Sequence, residues 1–143
     1  MKKVVDSQRS YFNSGSTKNI KFRIDKLKEL RQLLISNEQE LYDAIYKDFK
    51  KSEFDTYTTE LGLVYQHIDE ACKKLRKWSN SQRVNTNLLN FPAKSYIIPE
   101  PLGVCLVIGA WNYPFLVSLT PVIAAISAGN TVIRTSKLPM QRN

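Results

Sequence analysis

Cysteine and histidine are scarce in this chain, and the scarcity excludes whole classes of chemistry. There are two cysteines, Cys72 and Cys105, and one histidine, His67. A disulfide-stapled scaffold needs more cysteines, and a zinc centre needs cysteine clustered with histidine. No metal site is therefore expected, and a reducing, cytoplasmic setting fits best. The opening "MKKVVDSQRS" has lysines with no apolar stretch behind them, so it does not read as a secretory signal. Repeats and low-complexity segments are also absent.

A second absence is local. From Pro101 to Ile133 there is no Asp, Glu, Lys, Arg or His, although the chain has a formal net charge of +8. A spanning helix needs about 20 unbroken apolar residues. Gly109, Asn112, Pro114 and Pro121 interrupt this stretch too often, so no membrane span is expected. All but three of the 21 basic residues, Arg134, Lys137 and Arg142, precede Pro101, where they interleave with all 13 acidic ones. Mixed charge of this kind reads as solvated helix surface and weakens a nucleic-acid reading.

The first eighty residues carry helical periodicity. "VVDSQRSYFNSG" reads as a short helix ending at Gly15. Ile20, Ile24, Leu27, Leu30 and Leu34 mark a second, with Ser16 or Thr17 as its N-cap. Ser36 and Gln39 have the spacing of a capping box for a third, whose apolar face is Leu41, Ala44, Ile45 and Phe49. Phe54, Tyr57, Leu61, Val64, Ile68, Cys72, Leu75 and Trp78 form a long stripe stepping by three or four. Cys72 belongs to that stripe as a core thiol, and His67 lies beside it as a surface histidine. Two extended segments follow, near Val84 to Phe91 and Lys94 to Pro99, paired either as a hairpin or across subunits.

The uncharged stretch reads as one β-α-β unit. "GVCLVIG", Gly103 to Gly109, is a strand buried on both faces, with Cys105 in the core. Pro114 suits the first turn of a helix, Gly129 stops it, and "NTVI", Asn130 to Ile133, is a parallel return strand. The predicted fold is α/β: N-terminal helices, a β-hairpin or extended arm, then the first β-α-β unit of a Rossmann-like parallel sheet. Ligands bind beyond the carboxyl ends of such strands, where "GAWNYPF" falls. A helix start there favours anything negative. Two readings of Asn112 stay open at this point: a carboxamide donor toward a ligand, or a helix cap with Trp111 filling the core. The helix is apolar on every side, so it needs neighbours on several faces; without them the chain would expose apolar surface and aggregate.

"EPLGVCLVIGAWNYPFLVSLTPVIAAISAGNTVI" closely resembles the strand-helix-strand segment of aldehyde dehydrogenases. "DFKKSEFDTYTTEL" and "KKLRKW" resemble the branch acting on fatty or aromatic aldehydes. The resemblance runs from about Gln8 to Ile133. It implies NAD- or NADP-dependent oxidation of an aldehyde to a carboxylic acid through a cysteine nucleophile and a glutamate base. It places Asn112 as the oxyanion donor. Ile108, Gly109, Ala110 and Trp111 would line the cofactor groove, with Ala110 where the family often has proline. In "VIRTSKLPMQRN", Arg134 meets the family's ribose-binding lysine if one residue is deleted, and Lys137 then meets a glutamate, which favours a 2′-phosphate. Without the deletion, Thr135 meets the lysine.

The resemblance also implies domains. Residues 1–82 form a helical region, 83–100 an arm for homodimer formation, and 101–143 the start of the cofactor-binding unit. Family members run to roughly three times this length, in keeping with separate domains. The nucleophilic cysteine and base glutamate come later in the family's order, so this chain alone is expected to be an inactive N-terminal portion. The rival expectation is a noncatalytic remnant that docks on intact dehydrogenase subunits, or a basic binding module.

Overall fold

A computed structural model of the chain describes residues 2–135. Among these residues five α-helices precede the first strand: α1 (Lys2–Asn13), α2 (Ile20–Ser36), α3 (Glu38–Phe49), α4 (Glu53–Thr56) and α5 (Gly62–Trp78). A π-turn, Tyr57–Leu61, joins α4 to α5 without a break in the rod. Then come β1 (Gln82–Val84), β2 (Ser95–Ile97), β3 (Val104–Ile108), α6 (Leu116–Ala128) and β4 (Thr131–Thr135). The long helical stripe is thus real, but wound wider by one residue at its start. Gly62 permits this, because a Cβ there would stand 2.9 Å from the Tyr57 carbonyl oxygen.

The capping expectations for α2 and α3 are both corrected. Ser16–Lys18 form a 3₁₀ turn, and the Asn19 side chain accepts from Phe22 N–H (3.2 Å) as the cap of α2. Ser36 remains inside α2, and Asn37 stands before α3 without a side-chain cap. An asparagine carboxamide reaches the N3 amide from an extended backbone. At Ser36 the backbone is still helical, so the hydroxyl cannot.

The core lies where α2, α5 and α6 meet. Leu27, Leu61, Val64, Ile68 and Leu75 are buried there with Ile123. Cys72 packs at the edge of this cluster, half-buried. Phe54 and Trp78, at the ends of the stripe, are exposed. His67 is not a simple surface residue: it is half-buried, and its Nδ1 bonds the Thr120 hydroxyl (3.0 Å), joining α5 to α6.

β3 and β4 pair in parallel, with Val104 opposite Thr131 and Ile108 opposite Thr135. The Gly109 amide extends the ladder by donating to the Thr135 carbonyl (3.1 Å). Gly129 closes α6 in the left-handed region (φ 88°), and Asn130 Oδ1 then accepts from Gly103 N–H (2.8 Å). The strand buried on both faces is a correction. Val107 is buried, but Leu106 and Ile108 are about half exposed, and Cys105 is half-buried.

β1 and β2 pair antiparallel within the chain, so the hairpin alternative holds over the crossing one. The first extended segment is shorter than expected. A 3₁₀ turn, Leu88–Asn90, replaces its second half, with the Asn87 side chain accepting from Leu89 N–H (3.1 Å).

Arg23 is the buried tie between the N-terminal segment and α6. Its guanidinium donates to the carbonyls of Thr17 (2.6 Å), Lys18 (2.9 Å) and Ser127 (3.3 Å). Ser127 lies in the last turn of α6, where the helix carries its partial negative charge. Truncation would leave three carbonyls short of a donor. Arg23→Ala is expected to cost roughly 3 kcal/mol, read by urea unfolding, and Arg23→Lys should recover little because a point ammonium cannot fork to three acceptors.

Candidate functional site

The chain leaves β3 at Ile108 and enters α6 through "GAWNYPF". The first helical hydrogen bond, Val117 N–H to the Tyr113 carbonyl (3.0 Å), puts Pro114 in the opening turn, where a missing N–H costs nothing. Gly109 is required by space. A Cβ there would run into the hydroxyl of Ser118, which is itself buried.

Asn112 does not cap α6, and Trp111 does not fill the core. Trp111 is 79% exposed. Asn112 is exposed, and its side chain makes no hydrogen bond among the described residues. The cap comes from the π-turn instead. Glu60 Oε2 accepts from Phe115 N–H (2.9 Å) and Leu116 N–H (3.5 Å), while Glu60 Oε1 meets Lys51 Nζ at 3.0 Å. Glu60 is fully buried. The helix start does favour a negative group, and the chain supplies that group itself.

In the sequence Glu60 does not stand out from the other acids, which, Glu100 apart, all lie on helical segments. A signal was present nonetheless. Glu60 lies three residues after Tyr57 and four before Val64, which puts it beside the apolar stripe, where an unpaired carboxylate would not be tolerated.

Ile108, Gly109, Ala110, Trp111 and Arg134 line one cleft of about 600 Å³, closed on its far side by Ala44, Asp48 and Phe49 of α3. Asn112 lies in the same turn, next to the lining residues. Lys137 lies outside the described residues. Among the described residues, no group of His, Cys, Asp and Glu is placed to hold a metal. Burial pushes the Cys72 thiol above its ordinary value, which favours the protonated form over the thiolate.

Residues 1–137 match the family model described as "Aldehyde dehydrogenase family". The chain belongs to the aldehyde dehydrogenase family. It is 42% identical over 130 residues to an aldehyde dehydrogenase of Craterostigma plantagineum, covering 91% of this chain and 27% of that one. It is 42% identical over 137 residues to the 4,4'-diaponeurosporen-aldehyde dehydrogenase of Staphylococcus aureus, covering 95% of this chain and 30% of that one. A substrate-bound structure of Staphylococcus aureus AldH superposes with a TM-score of 0.86 at 41% identity, over 89% of this chain and 28% of that one. The chain thus spans less than a third of the length of these aldehyde dehydrogenases. The α/β fold with a Rossmann-like parallel sheet is the family's. Among the described residues no helix is long and apolar enough to cross a membrane.

The collision at Gly109 yields a local test. Gly109→Ala should destabilise the chain by about 1–3 kcal/mol through overpacking, and Ser118→Ala in the same chain should return part of the loss, both measured by thermal denaturation.

Proposed function

We propose that this chain contributes the oxyanion donor and part of the nucleotide groove for NAD- or NADP-dependent oxidation of aldehydes to carboxylic acids. One observation carries the reading: an exposed asparagine with an uncommitted side chain, relieved of the capping role by Glu60, in the turn that borders the cleft. When a thiolate adds to an aldehyde, the carbonyl oxygen becomes an alkoxide. A preset N–H donor at that oxygen is worth about 3–4 kcal/mol in comparable sites. The Asn112 carboxamide has two N–H donors and no competing partner among the described residues.

The cleft suits a dinucleotide in two respects. Gly109 and Ala110 keep the floor low where a planar ring system would approach, and Trp111 offers an exposed aromatic face. Arg134 is exposed on the same cleft and supports contact with ribose or its phosphate. The amides of Phe115 and Leu116 are taken by Glu60, so the pyrophosphate is not assigned to the start of α6. Bound nicotinamide supplies the hydride acceptor.

The nucleophilic cysteine and the glutamate base are not assigned to this chain, since the family places both beyond Asn143. The 143-residue chain alone is proposed to be inactive, and the intact enzyme to be cytoplasmic. Its substrate is an aldehyde of the fatty or aromatic class. Incubated with NAD or NADP and a medium-chain aldehyde, the chain should form no reduced nicotinamide by absorbance. Turnover that Asn112→Ala abolishes would overturn the inactivity. In a full-length homologue whose own segment is replaced by this one, Asn112→Ala should lower kcat by about 10²–10³-fold.

The hairpin gives specific support for a partner. Leu88, Leu89 and Phe91 are each more than four-fifths exposed at its tip. Apolar groups held out this far fit an arm that packs on a second subunit, whether of this chain or of an intact dehydrogenase. Size-exclusion chromatography should show self-association that Leu89→Asp with Phe91→Asp reduces. Salt-sensitive retention on DNA would instead favour a basic binding module.

A further inference from the structure

Three groups meet at the start of α6 without a part in the chemistry just described. Lys51 Nζ bonds Glu60 Oε1 (3.0 Å) and Thr59 Oγ1 (3.2 Å), and lies 4.4 Å from the centre of the Tyr113 ring. Glu60, through its other oxygen, holds the amides of Phe115 and Leu116. Asn112 is therefore bracketed. The ring of the next residue is held by the cation, and the backbone two residues further on is held by the anion.

The chain spends conformational energy to reach this arrangement. Lys50 is the one non-glycine residue with positive φ (56°) among the described residues, and it ends α3 by donating to the Tyr46 carbonyl (2.9 Å). A left-handed lysine is disfavoured. Here it turns the chain at once, so that Lys51 faces the π-turn. That turn widens the helix by one residue exactly where Glu60 must face α6.

We infer that Lys51 and Glu60 are positioning residues for Asn112. Glu60 fixes the helix start behind the turn. Lys51 fixes the Tyr113 ring and neutralises the carboxylate, which would otherwise oppose a negative oxygen forming in front of Asn112. The inference deepens the reading of Asn112 as the oxyanion donor and takes its chemical meaning from it. Its test reads the turn alone, so the two can fail separately.

The test uses nuclear magnetic resonance on the isotope-labelled 143-residue chain. Glu60→Gln keeps an acceptor oxygen and the side-chain shape but loses the charge. Amide exchange at Phe115 and Leu116 should quicken about 10-fold, while amides from Ile123 to Ser127 stay as they are. Lys51→Met should move the Asn112 carboxamide and Tyr113 ring signals toward their unstructured values, and Lys51→Arg should restore them. Lys26→Met is the control. Lys26 also pairs with a carboxylate, Glu29 (2.7 Å), and lies over a ring, Phe22 (5.6 Å), but on an exposed helix surface. It should leave the turn unchanged.

Wild-type Asn112 and Tyr113 signals in folded Lys51→Met would overturn the inference. So would failure of Lys51→Arg to restore them, or exchange in Glu60→Gln that quickens equally along all of α6, which is what a merely structural role gives. If Glu60→Gln does not fold, the two Lys51 variants decide. If Asn112→Ala leaves turnover of the full-length chimera intact, the oxyanion reading falls while the resonance result stands.

Discussion

Helix α6 has no charged residue of its own, yet both of its ends rest on buried charges lent by the helices before it. Glu60 meets its first amides and Arg23 meets a carbonyl in its last turn. A helix start carries partial positive charge and its end partial negative charge, so each partner has the favourable sign. This is how an apolar helix packs against the core through Ser118, Ile123 and Ser127 with polar groups at both of its ends answered. It also gives a physical account of the uncharged stretch. The charges were not dispensed with; they are supplied from the side, by α2 and by the π-turn.

The same arrangement explains why the N-terminal helices and the β-α-β unit form one body. Leu27, Leu61, Ile68 and Ile123 provide the apolar contact, which is tolerant of small shifts in orientation. Arg23, Glu60 and the His67–Thr120 bond do not tolerate such shifts, because each joins a named atom on one element to a named atom on another. Asn130 adds the corresponding tie at the strand end, where its carboxamide oxygen holds the Gly103 amide at the entrance to β3. Apolar burial supplies the drive to associate; these polar contacts select the register.

Much of this was legible from spacing. The glycine-bounded run gave β3, Gly129 gave the end of α6, and the parallel return followed from the connection. The stripe from Tyr57 to Leu75 gave the central helix. What stayed hidden depended on partners distant in sequence. Ser36 and Gln39 have capping-box spacing, but the backbone had not yet left the helix, so Asn37 stands there instead. Leu106 and Ile108 read as core because their neighbours in sequence are apolar, whereas their exposure depends on what lies across the sheet. The cap reading of Asn112, one of the two left open, rested on its place before a helix. Only the fold shows that Glu60, 55 residues away from Phe115, has taken that position.

That substitution of one cap for another bears directly on the site. An asparagine at a helix start ordinarily spends its oxygen on the helix's own amides, which fixes its side chain in the service of the backbone. With Glu60 occupying those amides, the Asn112 carboxamide makes no hydrogen bond among the described residues. A carboxylate so placed would carry an electrostatic penalty for any negative charge forming nearby, and Lys51 at 3.0 Å supplies the opposing charge. The helix start is thus stabilised by a charge, that charge is balanced by a second, and the neutral amide between the strand and the helix stays exposed, outside that network.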